Sequence, residues 1–135
     1  GDFTGMSYPD IERVMNVDFW GVVNGCKAFL PHLIASGSGT LVNISSIFGL
    51  VPMAGQSGYV AAKFAVRGFT ETLRIEMLAG GHPVQVTCVH PGGVRTGIAR
   101  HGTVNAGDDP AGNSEFFDQK LARTSPERAA QLILR

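Results

Sequence analysis

Tyr59 and Lys63 stand four residues apart, and Ser46 lies thirteen residues before the tyrosine. Residues i and i+4 are neighbours on a helix surface, so a helix over residues 58–79 sets the phenol beside the ammonium. An ammonium next to a phenol favours the phenolate. A free tyrosine ionises near pH 10, so acid–base work near pH 7 requires roughly 4 kcal/mol of electrostatic help. Lys63 supplies part of it, and a cationic cofactor would supply more.

The elements that must carry these side chains are legible in outline. Ser7-Tyr8-Pro9-Asp10 opens a helix, with Ser7 as N-cap, proline in the first turn and Asp10 three residues after the cap. Val14, Val17, Val22, Phe29 and Leu33 continue it at helical spacing. Gly21 and Gly25 weaken it locally, Pro31 should kink it or begin its last turn, and Gly37-Ser38-Gly39 ends it. Residues 40–45, Thr-Leu-Val-Asn-Ile-Ser, predict a strand covered on both faces. Residues 47–57 predict a loop. A second long helix is expected from Gly58 to Ala79, closed by Gly80-Gly81. Pro83 to His90 predicts another strand, stopped by Pro91-Gly92-Gly93. A polar loop is expected over 97–114, a short helix near 115–122, and a last helix capped by Ser125 with Pro126 in its first turn.

Helix, strand, helix, strand, helix predicts a parallel α/β sheet. Two buried parallel strands cannot shield both faces and both edges, so further strands are expected outside the 135 residues. Hydrophobic residues make up 44% of the chain and charged residues 16%, enough apolar material for a core in one domain at most. Basic and acidic residues number 11 each, which gives no electrostatic reason to expect nucleic acid or an anionic membrane as partner. The longest helical-looking apolar stretch is interrupted by Asp18, Lys27 and Pro31, so no membrane span is expected. Gly1-Asp2-Phe3-Thr4 has no basic region before an apolar one, so no signal peptide is expected there. Cys26 and Cys88 are expected to be reduced, buried thiols suited to a reducing cytoplasm. The four histidines show no metal-ligand spacing, and no metal site is expected.

Taken together, four segments resemble the short-chain dehydrogenase/reductase family: Met15-Asn16-Val17-Asp18-Phe19-Trp20-Gly21, Val42-Asn43-Ile44-Ser45-Ser46, Tyr59-Val60-Ala61-Ala62-Lys63 and Pro91-Gly92-Gly93-Val94-Arg95-Thr96. They occur in the family's order and near its spacing, and the resemblance runs through residues 1–135. It implies a Rossmann-like, doubly wound parallel sheet, incomplete in this chain. It also implies hydride transfer between NAD or NADP and a carbonyl or secondary alcohol. In that scheme Tyr59 gives or takes the alcohol proton and Ser46 hydrogen-bonds the substrate oxygen. Lys63 binds the nicotinamide ribose and lowers the tyrosine pKa, and Asn16 helps hold a water that links Lys63 to solvent. Tyr59, Lys63, Pro91, Gly92, Val94 and Thr96 border the cofactor, with main-chain groups near Val94 at its carboxamide. Ser45 is an adjacent candidate of the same type, and the thirteen-residue spacing selects Ser46.

The family's glycine-rich turn, its reader of the ribose 2′ position and its Asn-Asn-Ala-Gly stretch are absent from these residues. Gly37-Ser38-Gly39 precedes a strand instead of following one. The chain is therefore read as the C-terminal, catalytic and substrate-binding half of one dehydrogenase domain, residues 1–135, expected to bind the cofactor poorly alone. The alternative is a non-catalytic dimerisation or binding module that keeps the helices. Within the enzyme reading, a ketoacyl reductase would need a basic docking patch, to which Arg67, Arg74 and Arg95 could contribute. Ile47, Phe48, Leu50, Val51 and Met53 either border a pocket for an apolar small-molecule substrate or cover the sheet edge. Ala61, Ala65 and Gly68 form a small-residue stripe that packs either on the chain's own sheet or on a partner. The family commonly pairs its two long helices across a dimer axis, which implies a homodimer or homotetramer.

Overall fold

A computed structural model of the chain describes residues 3–96 and 123–134. The loop expected over 97–114 and the short helix near 115–122 lie outside the described residues.

Helix α1, Tyr8–Met15, starts at Ser7 with a reciprocal cap. The Ser7 side chain accepts from the Asp10 amide, and the Asp10 carboxylate accepts from the Ser7 amide at 3.1 Å and from its hydroxyl at 2.6 Å. These bonds, with Arg13 adding charge, hold the Asp10 carboxyl below its ordinary range. The long helix does not continue evenly. Residues Asn16–Trp20 form a π-helical turn, closed by the Gly21 amide donating to the Asn16 carbonyl, before α2 runs over Gly21–Ala35. The irregularity thus falls just ahead of Gly21, and α2 runs through Pro31 to end about one turn later.

Strand β1, Gly39–Ile44, and strand β2, Val84–Val89, pair in parallel, with Gly39 opposite Val84 and Ile44 opposite Val89. Helix α3, Ser57–Ala79, links them. Gly81 at φ +64° turns the chain from α3 into β2, a backbone state that costs glycine no Cβ clash. Helix α4, Pro126–Ile133, begins at Ser125, whose hydroxyl accepts from the Arg128 amide at 3.2 Å.

One face of the sheet is packed. Cys26 from α2, Leu73 and Met77 from α3, and Val84 and Val86 from β2 form the core, with Val22, Leu33, Leu41 and Phe69 against it. Ala62, Val66, Thr70, Leu73 and Met77 repeat at three and four residues along α3 and are all buried. The two-sided cover expected for β1 is not found among the described residues: Thr40 and Ile44 are exposed, as are Gln85 and Thr87 on β2. A parallel strand needs cover on both faces, and the described helices α2 and α3 supply the one that holds the core.

A buried polar set ties the layers together. Asn43 Nδ2 donates to Thr70 Oγ1 at 3.1 Å, and Thr70 Oγ1 donates to the Val66 carbonyl at 2.7 Å. Cys26 Sγ lies 3.5 Å from Asn43 Oδ1. The set fixes α2, β1 and α3 in one register, because each member loses a bond if the helices slide. Cys88 is half-buried instead of buried, and desolvation raises its thiol above the ordinary range.

Candidate active site

The C-terminal ends of both strands run on together. The Ser45 amide donates to the Val89 carbonyl and the Ile47 amide to the Pro91 carbonyl, each at 2.8 Å. This continuation brings Ser46 and the Pro91-Gly92 turn to the same end of the sheet. His90 Nδ1 lies 3.1 Å from the Ser46 carbonyl and reinforces the junction. In parallel sheets this end is where ligands bind, because loops diverge there and leave a crevice.

The two serines have different surroundings. Ser45 Oγ donates to the main-chain carbonyl of Lys63 at 2.9 Å. Its hydroxyl therefore docks α3 onto β1 one residue before the loop. Gly49, in the 3₁₀ turn Ile47–Gly49, lies against the same place. A Cβ there would press on Ser45 Oγ and approach the Lys63 carbonyl to 2.9 Å, so the turn needs glycine for closeness. Ser46 is buried, and its Oγ accepts from the Phe48 amide at 3.2 Å, capping the turn. That bond leaves the Ser46 hydroxyl proton free to be donated elsewhere.

Tyr59 lies on the first turns of α3. Its ring meets Phe48 edge-on, with centroids 6.4 Å apart. Phe48 thereby joins the tyrosine to the turn that Ser46 caps. Lys63 is one turn further on, its ammonium 5.4 Å from the centre of the Tyr59 ring. The i, i+4 geometry expected from sequence is present.

The partner of Lys63 was not foreseeable from spacing. Its Nζ lies 3.0 Å from Asp18 Oδ1, with side-chain exposures of 11% and 26%. In sequence Asp18 registers as a charge interrupting an apolar stretch and as part of the Met15–Gly21 segment, with no role of its own. Asn16, on the same π turn, is exposed, and its carbonyl accepts from the Gly21 amide. Beyond Pro91 and Gly92, Val94 bridges to Thr124, the Arg95 amide donating to the Thr124 carbonyl at 2.9 Å and the Thr124 amide to the Gly93 carbonyl at 3.3 Å. This clamp holds Gly93–Arg95 and was not predicted. Thr96 is half-buried just past it.

Tyr59, Lys63 and Asp18 are thus grouped by direct contact, and Ser46 joins them through Phe48. Pro91 lies beside Ile47. The short chain dehydrogenase family profile matches residues 1–106. This chain belongs to the short-chain dehydrogenase family. It is similar to SadH of Mycobacterium tuberculosis, itself only provisionally named an oxidoreductase, at 62% identity over 134 residues. That match covers 99% of this chain and 49% of SadH, so the chain spans about half the length of the relative. A short-chain dehydrogenase from Streptomyces avermitilis superposes with a TM-score of 0.76 at 28% identity, over 99% of this chain and 50% of that one. 4-Hydroxyisoleucine dehydrogenase complexed with NADH superposes at 0.64 and 25% identity, over 70% of this chain and 41% of its own. The fold is accordingly the Rossmann-like dehydrogenase fold, of which the described residues form a two-stranded portion. None of the described helices is long and apolar enough to cross a membrane.

Proposed function

We propose that the protein containing this chain is an NAD- or NADP-dependent oxidoreductase acting on a carbonyl or secondary alcohol, with Tyr59 as the acid/base. The observation that carries the reading is the juxtaposition of the Tyr59 ring and the Lys63 ammonium, next to a turn capped by Ser46. Tyr59 donates its hydroxyl proton to the oxygen of a ketone being reduced, or receives it from an alcohol being oxidised. Ser46 donates its hydroxyl proton to that same oxygen and steadies its developing charge. Lys63 sets its ammonium over the Tyr59 ring and supplies donors to a ribose. Asn16 belongs to this set as the residue that holds a water between Lys63 and solvent.

The nicotinamide, when bound, supplies or accepts the hydride. The residues present fit it. Beyond its bond to Asp18, Lys63 keeps two N–H donors in a largely dry position. Gly92 has open space where a Cβ would stand, so a flat ring can approach the backbone of Pro91, Gly92 and Val94. Thr96 lies next along the chain for the carboxamide or a phosphate. Alone, the 135 residues are expected to bind either nucleotide more weakly than about 10 μM, because that affinity takes roughly 7 kcal/mol of contacts.

The substrate is proposed to be apolar. Ile47, Leu50, Val51 and Met53 follow Ser46 and all keep substantial exposure. The protein is also proposed to form a homodimer or homotetramer through its long helices. Ala61 and Gly68 of the small-residue stripe are exposed, a Cβ on Gly68 would meet nothing within 4 Å, and Phe64, Ile75 and Leu78 on α3 are exposed with them. The two free thiols suit the reducing cytoplasm assigned in this proposal.

The experiment is oxidation of NADH and NADPH by the full-length protein with aliphatic 2-ketones of increasing chain length. Rising kcat/KM with chain length is expected, for one of the two cofactors. Absence of binding of either nucleotide to the full-length protein would overturn the reading.

A further inference from the structure

We propose that Asp18 is a positioning residue for Lys63: its carboxylate holds the ammonium in the place where it serves both Tyr59 and the cofactor ribose. This inference rests on the oxidoreductase reading above. Asp18 Oδ1 and Lys63 Nζ are 3.0 Å apart, and the lysine side chain is only 11% exposed. A lysine side chain has four rotatable bonds, and holding it in one rotamer costs conformational entropy. A charged pair held in a partly dry site supplies a fixed partner against that cost. Asp18 Oδ1 takes one of the three ammonium protons, which leaves two for other acceptors.

The backbone explains how Asp18 reaches Lys63. It is the central residue of the π turn Asn16–Trp20. An i→i+5 turn inserts an extra residue into the helix and rotates the side chains that follow, and such turns recur at functional sites. Phe19 on the same turn packs edge-on against Phe69 of α3, with centroids 6.2 Å apart, so the turn is anchored to the helix that carries Lys63. Two independent features, the ion pair and the aromatic contact, hold the turn on α3.

The test uses the full-length protein and fluorescence titration with NADH and NADPH, for Asp18→Asn, Asp18→Ala, Lys63→Met and the Asp18→Asn/Lys63→Met double variant. Thermal midpoints are recorded for each. Asp18→Ala is expected to weaken the better-bound cofactor about five- to tenfold and Asp18→Asn about threefold, with Lys63→Met at least as damaging as either. The double variant should match Lys63→Met, because Asp18 acts through the lysine. Asp18→Asn is nearly isosteric and decides the matter if Asp18→Ala does not fold. Affinity within twofold of the parent in Asp18→Asn, or multiplying losses in the double variant, would overturn the proposal while leaving the oxidoreductase reading intact. Parent-like affinity in Lys63→Met would overturn both.

Discussion

The seam between β1 and α3 and the rim that follows Ser46 are separated by only a few residues, yet they are built on opposite principles. The seam is buried and fully bonded: Asn43 to Thr70, Thr70 to Val66, Ser45 to the Lys63 carbonyl, with Gly49 pressed between. The rim, Leu50 to Met53, is apolar and exposed. A seam of this kind fixes where Tyr59 and Lys63 stand, since any slide of α3 breaks several bonds at once. In the proposal made above, this rim borders the substrate. Rigid support for the chemistry and a permissive border for the ligand are the division of labour expected of a site placed on a parallel sheet.

The sharpest way to break the contrast is to overfill the seam. Gly49→Val puts branched carbons where even a Cβ approaches the Lys63 carbonyl to 2.9 Å. A loss of about 3 kcal/mol is expected, at the upper end for overpacking. In a protein of about 250 residues that lowers the thermal midpoint by roughly 6–12 °C. Calorimetry showing no change would mean that the turn is not pressed on α3. Next in size is Thr70→Val, which takes the acceptor from the buried Asn43 amide and should cost about 1–3 kcal/mol. The rim should respond the other way round. Val51→Ser or Met53→Ser is expected to change stability by less than about 0.5 kcal/mol. The same changes should raise KM for a long-chain ketone about five- to tenfold, the loss of one apolar contact. Equal effects on stability from seam and rim would erase the distinction.

Smallest of all are the surface carboxylates. Ser7 and Arg67 hydrogen bonds lower Asp10 and Glu71 below their ordinary values. A carboxyl lowered in the folded state adds stability above its unfolded value, and that stability is lost as pH falls through the lower, folded value. Asp10→Asn and Glu71→Gln should therefore melt slightly below the parent at neutral pH and together with it in strong acid. The Glu71 pair with Arg67 lies at the surface, so added salt should shrink the neutral difference for Glu71.

Much of this was legible beforehand. The strand expected at 40–45 is found at Gly39–Ile44, and the helix expected at 58–79 at Ser57–Ala79, because glycine and proline mark their ends. The Ser7 and Ser125 caps were readable from side-chain chemistry alone. The π turn was not, because Asn16–Trp20 keeps the same apolar spacing as a regular helix and carries no breaker of its own. The Asp18–Lys63 pair and the Val94–Thr124 bridge were also hidden, since both join residues far apart in sequence. Spacing selected Ser46 over Ser45, but only the hydrogen bond from Ser45 to the Lys63 carbonyl explains what the other serine does.

The most direct test of the acid/base assignment is turnover by the Tyr59→Phe full-length protein, measured beside its affinity for the preferred nicotinamide cofactor. The substitution removes one hydroxyl and keeps the ring that packs on Phe48 and Lys63. Turnover is expected to fall by about 10²–10⁴, the usual weight of a positioned acid/base, with cofactor affinity held within threefold. Turnover equal to the parent's would contradict the account, because the proton would then be travelling through some other group.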